Sequence, residues 1–317
     1  MAGYSTFKMY TFVLQAERST RSIPFSEFYQ KFTNLQRFST VDVFDEIAHH
    51  YLSSFRNQFM TNRHGTRGIS VVDPNLLMSN ANEQIIHGFV QGGPSNDSFA
   101  IYERDQTQAG SVEPTQILSQ DYYFLIYFPR DTNVGCIMLQ RNSSISRGIS
   151  SAFFEHLKDF FTSYHLKLIS NPYVPNQIQN EYKKNCIVTE VNVIEWKRTN
   201  VFNPKEGKVR QMKIKHSLSG IKVPFLTYIQ DYLRNGKHLS KSLTRLLGIE
   251  EEAELDDITL LCKVGEETKT FSLKKDQIRN NMLIDNSFID TTKTPESVLK
   301  MYECAQNLLS LFKEDIH

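Results

Sequence analysis

The densest charge in this sequence lies between Lys197 and Arg245, where twelve Lys or Arg stand against two acids, Glu206 and Asp231, for a net of +10. Lys and Arg are almost never fully buried without partners, so this stretch must run along a surface or meet a countercharge. The whole chain carries only +1, so the remaining residues sum to −9. An acidic run, Glu250 to Asp257, follows at once, with six acids in eight residues. Within the basic stretch, Lys208 and Arg210 flank Val209, and Lys213 and Lys215 flank Ile214, the spacing of a strand with one wet face. The parity switches between the two pairs, so a bulge near Gln211-Met212 is needed to bring all four to one side. Lys237, Lys241 and Arg245 step by four and share one face of a helix.

Phosphate backbones bind such stripes through charge and counterion release, with no need of base contacts. The candidate nucleic-acid contacts are therefore Lys205, Lys208, Arg210, Lys213, Lys215, Lys237, Lys241 and Arg245. Two other readings stand beside this one. The stripe can be a solvated face that neutralises the acidic run, or a contact between subunits.

Composition sets the compartment and the size of the core. With 317 residues, 40% hydrophobic and 22% charged, the chain is globular and long enough for two domains. Twenty-two Phe and 14 Tyr supply the bulk of a core. The four cysteines, Cys136, Cys186, Cys262 and Cys304, form no CxxC pair, so reduced, buried thiols in a cytoplasmic protein are expected. The N-terminus lacks a basic region followed by a long apolar one, and no window is apolar enough for a membrane span.

Periodicity places the elements. Thr6 to Gln15 predicts a strand with both faces partly apolar. Pro24 opens a helix to about Leu35, with Phe25, Phe28, Tyr29 and Phe32 on one stripe. Phe44, Ile47, Ala48, Tyr51, Leu52, Phe55 and Phe59 recur at steps of three and four and predict a second helix. Strands follow at Ile69–Val72, Ile85–Val90, Phe99–Tyr102, Tyr122–Phe128 and Gly135–Gln140. Gly92-Gly93-Pro94 is read as a turn, and Gln106–Gln116 as a polar loop. Ser150–Tyr164 predicts a helix, Asn171–Asn176 a loop, and Ile187–Trp196 a strand. Ile258–Val264 and Lys269–Leu273 form a hairpin, and a helix runs from Pro295 to about Phe312. The expected class is α+β, with mixed, mostly antiparallel sheets and packed helices in two lobes. The expected division is an N-terminal α+β domain, 1–200, and a basic C-terminal α+β domain, 201–317.

Catalytic motifs are sparse. Glu195-Trp196-Lys197 at the end of an apolar strand matches the E-x-K part of a metal-dependent nuclease site. That chemistry needs a second acid to hold Mg²⁺. Asp159 falls in a predicted helix, and Glu190, five residues before Glu195, belongs to the opposite face of the same strand. The nine histidines are dispersed and form no HExxH. There is no GxSxG, GxxxxGK[ST] or GxGxxG, so no cofactor or metal site is expected.

The order of elements carries a resemblance. "YYFLIYFPRDTNVGCIMLQR" followed by "ISSAFFEHLKDFF" reads strand, charged turn, strand, long helix. "DDITLLCKVGEETKTFSL" followed by "ESVLKMYECAQNLLSLFKE" reads hairpin, polar link, helix. Both arrangements resemble RexA-like phage-exclusion proteins and, more loosely, KwaB-like proteins of the Kiwa phage-defence system, over about the last two-thirds of the chain. The resemblance implies a phage-defence or abortive-infection protein that binds DNA with little sequence preference as a homodimer. It offers no catalytic residues to carry over.

The leading reading is thus a cytoplasmic, homodimeric nucleic-acid-binding protein of bacterial or phage defence, with DNA preferred over RNA and no membrane insertion. The alternatives are a metal-dependent nuclease using Glu195 and Lys197, and a non-enzymatic adaptor that pairs with a partner defence protein.

Overall fold

The computed structural model describes residues 5–316, apart from 37–42, 56–57, 72, 96–98, 103–106, 143–148, 204–207, 226, 230–240, 250–254, 265–266, 274–276, 279–280 and 291. The fold is α+β, and every strand pairing among the described residues is antiparallel. The chain divides into two compact units, Met1–Tyr173 with Asn280–His317, and Val174–Arg279.

The first unit opens with β1 (Ser5–Ala16), β2 (Ser22–Ile23), α1 (Phe25–Gln36) and α2 (Val43–Ser53). It continues through β3 (Met60–Thr61), β4 (Arg67–Ser70), β5 (Leu77–Asn80), β6 (Ile85–Pro94), β7 (Phe99–Tyr102) and β8 (Gln108–Val112). β9 (Gln120–Tyr127), β10 (Gly135–Asn142), α3 (Ser150–Thr162) and β11 (Leu166–Tyr173) complete its first part. The second unit holds α4 (Asn176–Asn185), β12 (Ile187–Asn203), β13 (Lys208–Pro224), α5 (Lys241–Leu247), β14 (Leu255–Val264), β15 (Glu267–Ser272) and β16 (Gln277–Ile278). The chain then returns to the first unit as β17 (Asn281–Leu283) and α6 (Pro295–Ile316).

The large sheet runs β11-β1-β10-β9-β6-β4-β3, with β2 and β17 also on β1 and β5 on β6. Its centre is covered on both faces, which is why β1 is apolar on both. Phe12 and Leu14 join a buried cluster with Phe25, Phe28 and Phe32 of α1, Phe44 and Ile47 of α2, and Phe153 and Phe161 of α3. On the other parity, Phe7 and Tyr123 stack edge to face, and α6 lays Tyr302 on His87 at 4.4 Å and Phe312 against Tyr127 and Tyr173. Each buried Phe is worth about 2 kcal/mol of transfer free energy, so this aromatic layer dominates the unit's stability.

Several expectations are corrected. Gly92-Gly93-Pro94 is not a turn but the end of β6, where a Cβ on Gly93 would stand 1.9 Å from the Leu118 carbonyl oxygen. The glycines are there for close backbone approach. The expected loop at 106–116 contains β8, paired with β7. The Asn- and Pro-rich stretch at 171–176 ends β11 and begins α4, a helix with no buried residue and hence no apolar stripe to read. α2 stops at Ser53; Phe55 is still buried, but Phe59 is exposed.

The expected division near Val201–Lys208 also falls elsewhere. β12 and β13 pair with each other across that stretch, so it lies inside one sheet, and the second unit is inserted between β11 and β17 of the first. No helix among the described residues is long and apolar enough to cross a membrane.

Candidate nucleic-acid interface

The second unit is a five-stranded sheet in the order β13-β12-β14-β15-β16. One face is a core of Val188, Val191, Val193, Ile258, Leu260 and Phe271, capped by Phe225, Tyr228, Leu247 and Ile249. The other face is wet. There Asn192 donates to Glu190 at 2.7 Å, Ser217 to Asn192 at 2.6 Å, and Ser219 to Glu190 at 3.3 Å. Along the edge strand β13, exposure alternates from Ile214 to Ser219, with Lys215, Ser217 and Ser219 outward. That is the pattern of a half-buried antiparallel strand.

β12 is flanked by β14 only from Ile187 to Glu195. Beyond Glu195 its pairing among the described residues is with β13 alone, as Trp196↔Lys213, Lys197↔Met212, Arg198↔Gln211, Phe202↔Val209 and Asn203↔Lys208. Among the described residues this is a two-stranded ribbon extending eight residues past the three-strand region, or about 26 Å at the usual strand rise.

The ribbon gathers much of the basic segment. Lys197 and Arg198 lie on β12, and Lys208, Arg210 and Lys213 on β13, with Lys215 exposed just behind them opposite Ile194. The side chains at 196–203 and 208–213, and all of Lys205 and Lys237, lie outside the described residues. The expected bulge at Gln211-Met212 is absent. The register shift instead lies between Arg198 and Phe202, with the extra residues on β12 opposite Arg210. β13 therefore keeps its alternation from Lys208 to Lys215, and Lys208 and Arg210 occupy one parity while Lys213 and Lys215 occupy the other. By position, the basic residues of β13 fall on both parities rather than on one.

α5 begins at Lys241 and carries Arg245 exposed in its last turn, four residues on, while Leu247 is buried in the core. The acidic residues at 250–254 lie outside the described residues, and β14 begins at Leu255.

Neither Glu190 nor Asp159 is brought beside Glu195 as a second acid. Glu195 is 5% exposed on the core parity of β12, next to Val193, and His216 donates to it from Nε2 at 2.9 Å across the ladder. Glu190 sits on the opposite face, as its spacing requires, and is engaged by Asn192 and Ser219. Asp159 belongs to α3 of the first unit. Among the described residues, no group of three His, Cys, Asp or Glu is placed to hold a metal ion.

Two histidine sites were invisible to sequence spacing. His87 is buried beneath α6, hydrogen-bonded at Nδ1 to the Tyr123 hydroxyl at 3.1 Å, and burial lowers its pKa from 6.5 to about 4. His156 lies against the Phe55 ring at 3.9 Å, with Nε2 3.0 Å from Ser54 Oγ, and burial lowers its pKa likewise to about 4. The Ser54–His156 pair lacks the remaining parts of a nucleophilic dyad. The Ser54 hydroxyl donates to the Tyr51 carbonyl, and His156 Nδ1 is buried with no hydrogen-bonding partner among the described residues to orient it.

No protein-family model matches this chain, and no curated protein sequence matches it.

Proposed function

We propose that this chain binds nucleic acid, duplex DNA in preference to RNA and with little sequence preference, through the β12–β13 ribbon. The observation that carries the reading is the continuation of these two strands past β14, with Lys197, Arg198, Lys208, Arg210 and Lys213 on the ribbon. A two-stranded ribbon fits the width of the major groove, whose walls are two rows of phosphates. Basic positions on both faces of a ribbon suit two charged walls better than a single flat stripe does. Lys215, Lys241 and Arg245 then extend the positive surface behind it, with Lys205 and Lys237 as further phosphate contacts.

The biological setting in this reading is bacterial or phage defence, with the protein acting as a cytoplasmic homodimer. What supports it is the element order already noted for RexA-like and KwaB-like proteins: β9, β10 and α3, and later β14, β15 and α6. Binding rather than chemistry is the proposed activity, because Glu195 is engaged with His216 on the core side of its strand.

The test is filter binding of a short duplex across a salt series. Affinity should fall steeply, by a factor of about 10³ or more between about 50 and about 200 mM salt for some six phosphate contacts. No binding at low salt, or binding indifferent to salt, overturns the reading. The defence setting has its own test in the plating efficiency of phages on cells with and without the gene; equal plating across a broad panel overturns that part alone.

A further inference from the structure

Two of the four cysteines meet in the core of the second unit. Cys186 follows α4 with extended backbone, its N–H bonded to the Tyr182 carbonyl at 3.0 Å and its own carbonyl taken by the Phe225 N–H at 3.0 Å. Cys262 stands on β14 directly opposite Val188 of β12, two residues along from Cys186 and on the same parity. The two side chains line one small cavity with Phe225 and Phe271, near enough for each thiol to shift the pKa of the other. Cys136 and Cys304 belong to the first unit.

We propose that Cys186 and Cys262 are a redox-active dithiol that hydrogen peroxide converts to a reversible intrachain disulfide. Each cysteine is pinned by backbone bonds from its own element, so the thiols are held together by the fold and need no domain movement to meet. The cavity has a volume of about 10 Å³, room for about one water molecule beside the thiols. Half-buried Lys183 and Thr270 also line it.

The roles of the two sulfurs differ. Interaction with the neighbouring Cys262 thiol lowers the Cys186 pKa, whereas Cys186 and burial raise that of Cys262, whose S–H points to the Leu260 carbonyl at 3.9 Å. Burial raises the pKa of Cys136 and of Cys304. Cys186 is therefore the thiol with the most thiolate character, and the thiolate is the nucleophile. Its sulfur attacks one peroxide oxygen, breaking the O–O bond; the product is a sulfenic acid at Cys186, and the departing hydroxide takes up a proton as water. The Cys262 sulfur then attacks the Cys186 sulfur, the S–S bond forms, the S–O bond breaks, and the hydroxyl leaves as a second water with the Cys262 proton. Two thiols and one peroxide give one disulfide and two waters, and an external thiol reverses the step.

The experiment uses the full chain. After graded peroxide treatment, free thiols are counted under denaturing conditions and the protein is digested without reductant for mass spectrometry. The count should fall from four to two, with a Cys186–Cys262 linked peptide that dithiothreitol abolishes. Cys262→Ala should leave a Cys186 sulfenic acid that dimedone traps, whereas Cys186→Ala should leave Cys262 unmodified at the same dose. Phenylarsine oxide, which bridges closely spaced thiols, should bind once per wild-type chain and protect both cysteines from alkylation. Loss of Cys136 or Cys304 first, or oxidation of Cys186 with no linked peptide, overturns the proposal. If either alanine variant fails to fold by far-UV circular dichroism, the wild-type peptide map and arsenical stoichiometry still decide it.

Discussion

Tyr173 and Asn281 stand on neighbouring rungs of the same strand, the first opposite Met9 and the second opposite Lys8 of β1, although the whole second unit runs between them. The chain thus leaves the first unit and re-enters it at nearly one point. Insertions are tolerated where their two ends lie close together, because closing the parent chain without them costs little entropy. Replacing 174–279 with a short Gly/Ser linker should therefore leave the first unit folded. A single cooperative denaturant transition and native-like circular dichroism are expected; a molten, non-cooperative product would show that the insert is needed for the sheet.

The Glu195–His216 pair makes a second prediction. A hydrogen bond to a charged group in a largely buried setting contributes about 1–3 kcal/mol. Glu195→Ala should cost about that in urea unfolding, by leaving His216 without its acceptor, while Glu195→Gln should cost less because an acceptor oxygen remains. Neither change should depend on Mg²⁺. A metal ligand would behave otherwise: its alanine variant would keep or gain stability, through relief of acidic repulsion, and would lose a Mg²⁺-dependent shift in melting temperature.

How far the sequence disclosed this fold depends on which forces hold each element. α1, α2, α3 and α6 were legible because each buries a stripe at helical spacing, such as Phe25, Phe28 and Phe32. α4 was not, because none of its residues is fully buried and only Tyr182 leans on the core, which makes no stripe. β12 reads as ending at Trp196, since the residues beyond it carry no apolar alternation in the sequence. The interrupted first unit was illegible because its signature is the three-residue pairing of β17 with β1, a contact spanning most of the chain. Of the candidate site, the basic residues could be read but not their partition between two faces, which a register shift on the opposite strand decides. His216 beside Glu195, and Cys186 beside Cys262, are cross-strand and tertiary juxtapositions with no signal in spacing.

Gly93 gives a third prediction, about close packing rather than charge. Because its Cβ would meet the Leu118 carbonyl oxygen at 1.9 Å, Gly93→Ala must push β6 and the segment before β9 apart. Overpacking of this kind costs about 1–3 kcal/mol or more. Gly110→Ala, where nothing lies within 4 Å of the added carbon, is the control and should change stability little. Equal denaturant midpoints for the two variants would contradict the tight approach.

The buried histidines predict the pH response. In the folded state His87 and His156 have pKa values of about 4, and in the unfolded chain they return to the ordinary 6.5 or so. Below about pH 6.5 the unfolded chain binds protons that the folded chain does not, so their contribution to stability is fully present above that pH. It is lost as pH falls from about 6.5 towards 4, by up to roughly 3 kcal/mol for each histidine. His156→Phe, which keeps an aromatic ring against Phe55, should flatten part of that slope. Denaturant midpoints measured from pH 7.5 down to 4.5 check this; a slope unchanged in the variant would mean that His156 titrates freely in the folded protein.

The ribbon makes the sharpest prediction, because its two-faced arrangement separates it from a flat basic stripe. Each phosphate contact removed should lower the slope of log affinity against log salt by about 0.9 on duplex DNA, evenly across sequences. Lys213→Ala and Lys208→Ala lie on opposite parities of β13, so if both walls of a groove are engaged, each should reduce the slope by about one and the double variant by about two. A stripe on one face would respond to one of them and ignore the other. Lys313→Ala, on α6 of the first unit with its ammonium over the Tyr127 ring, is the control and should leave the slope unchanged. Slopes that respond to only one parity would move the contact surface to that face of the sheet, and slopes indifferent to both would remove the ribbon from the interface altogether.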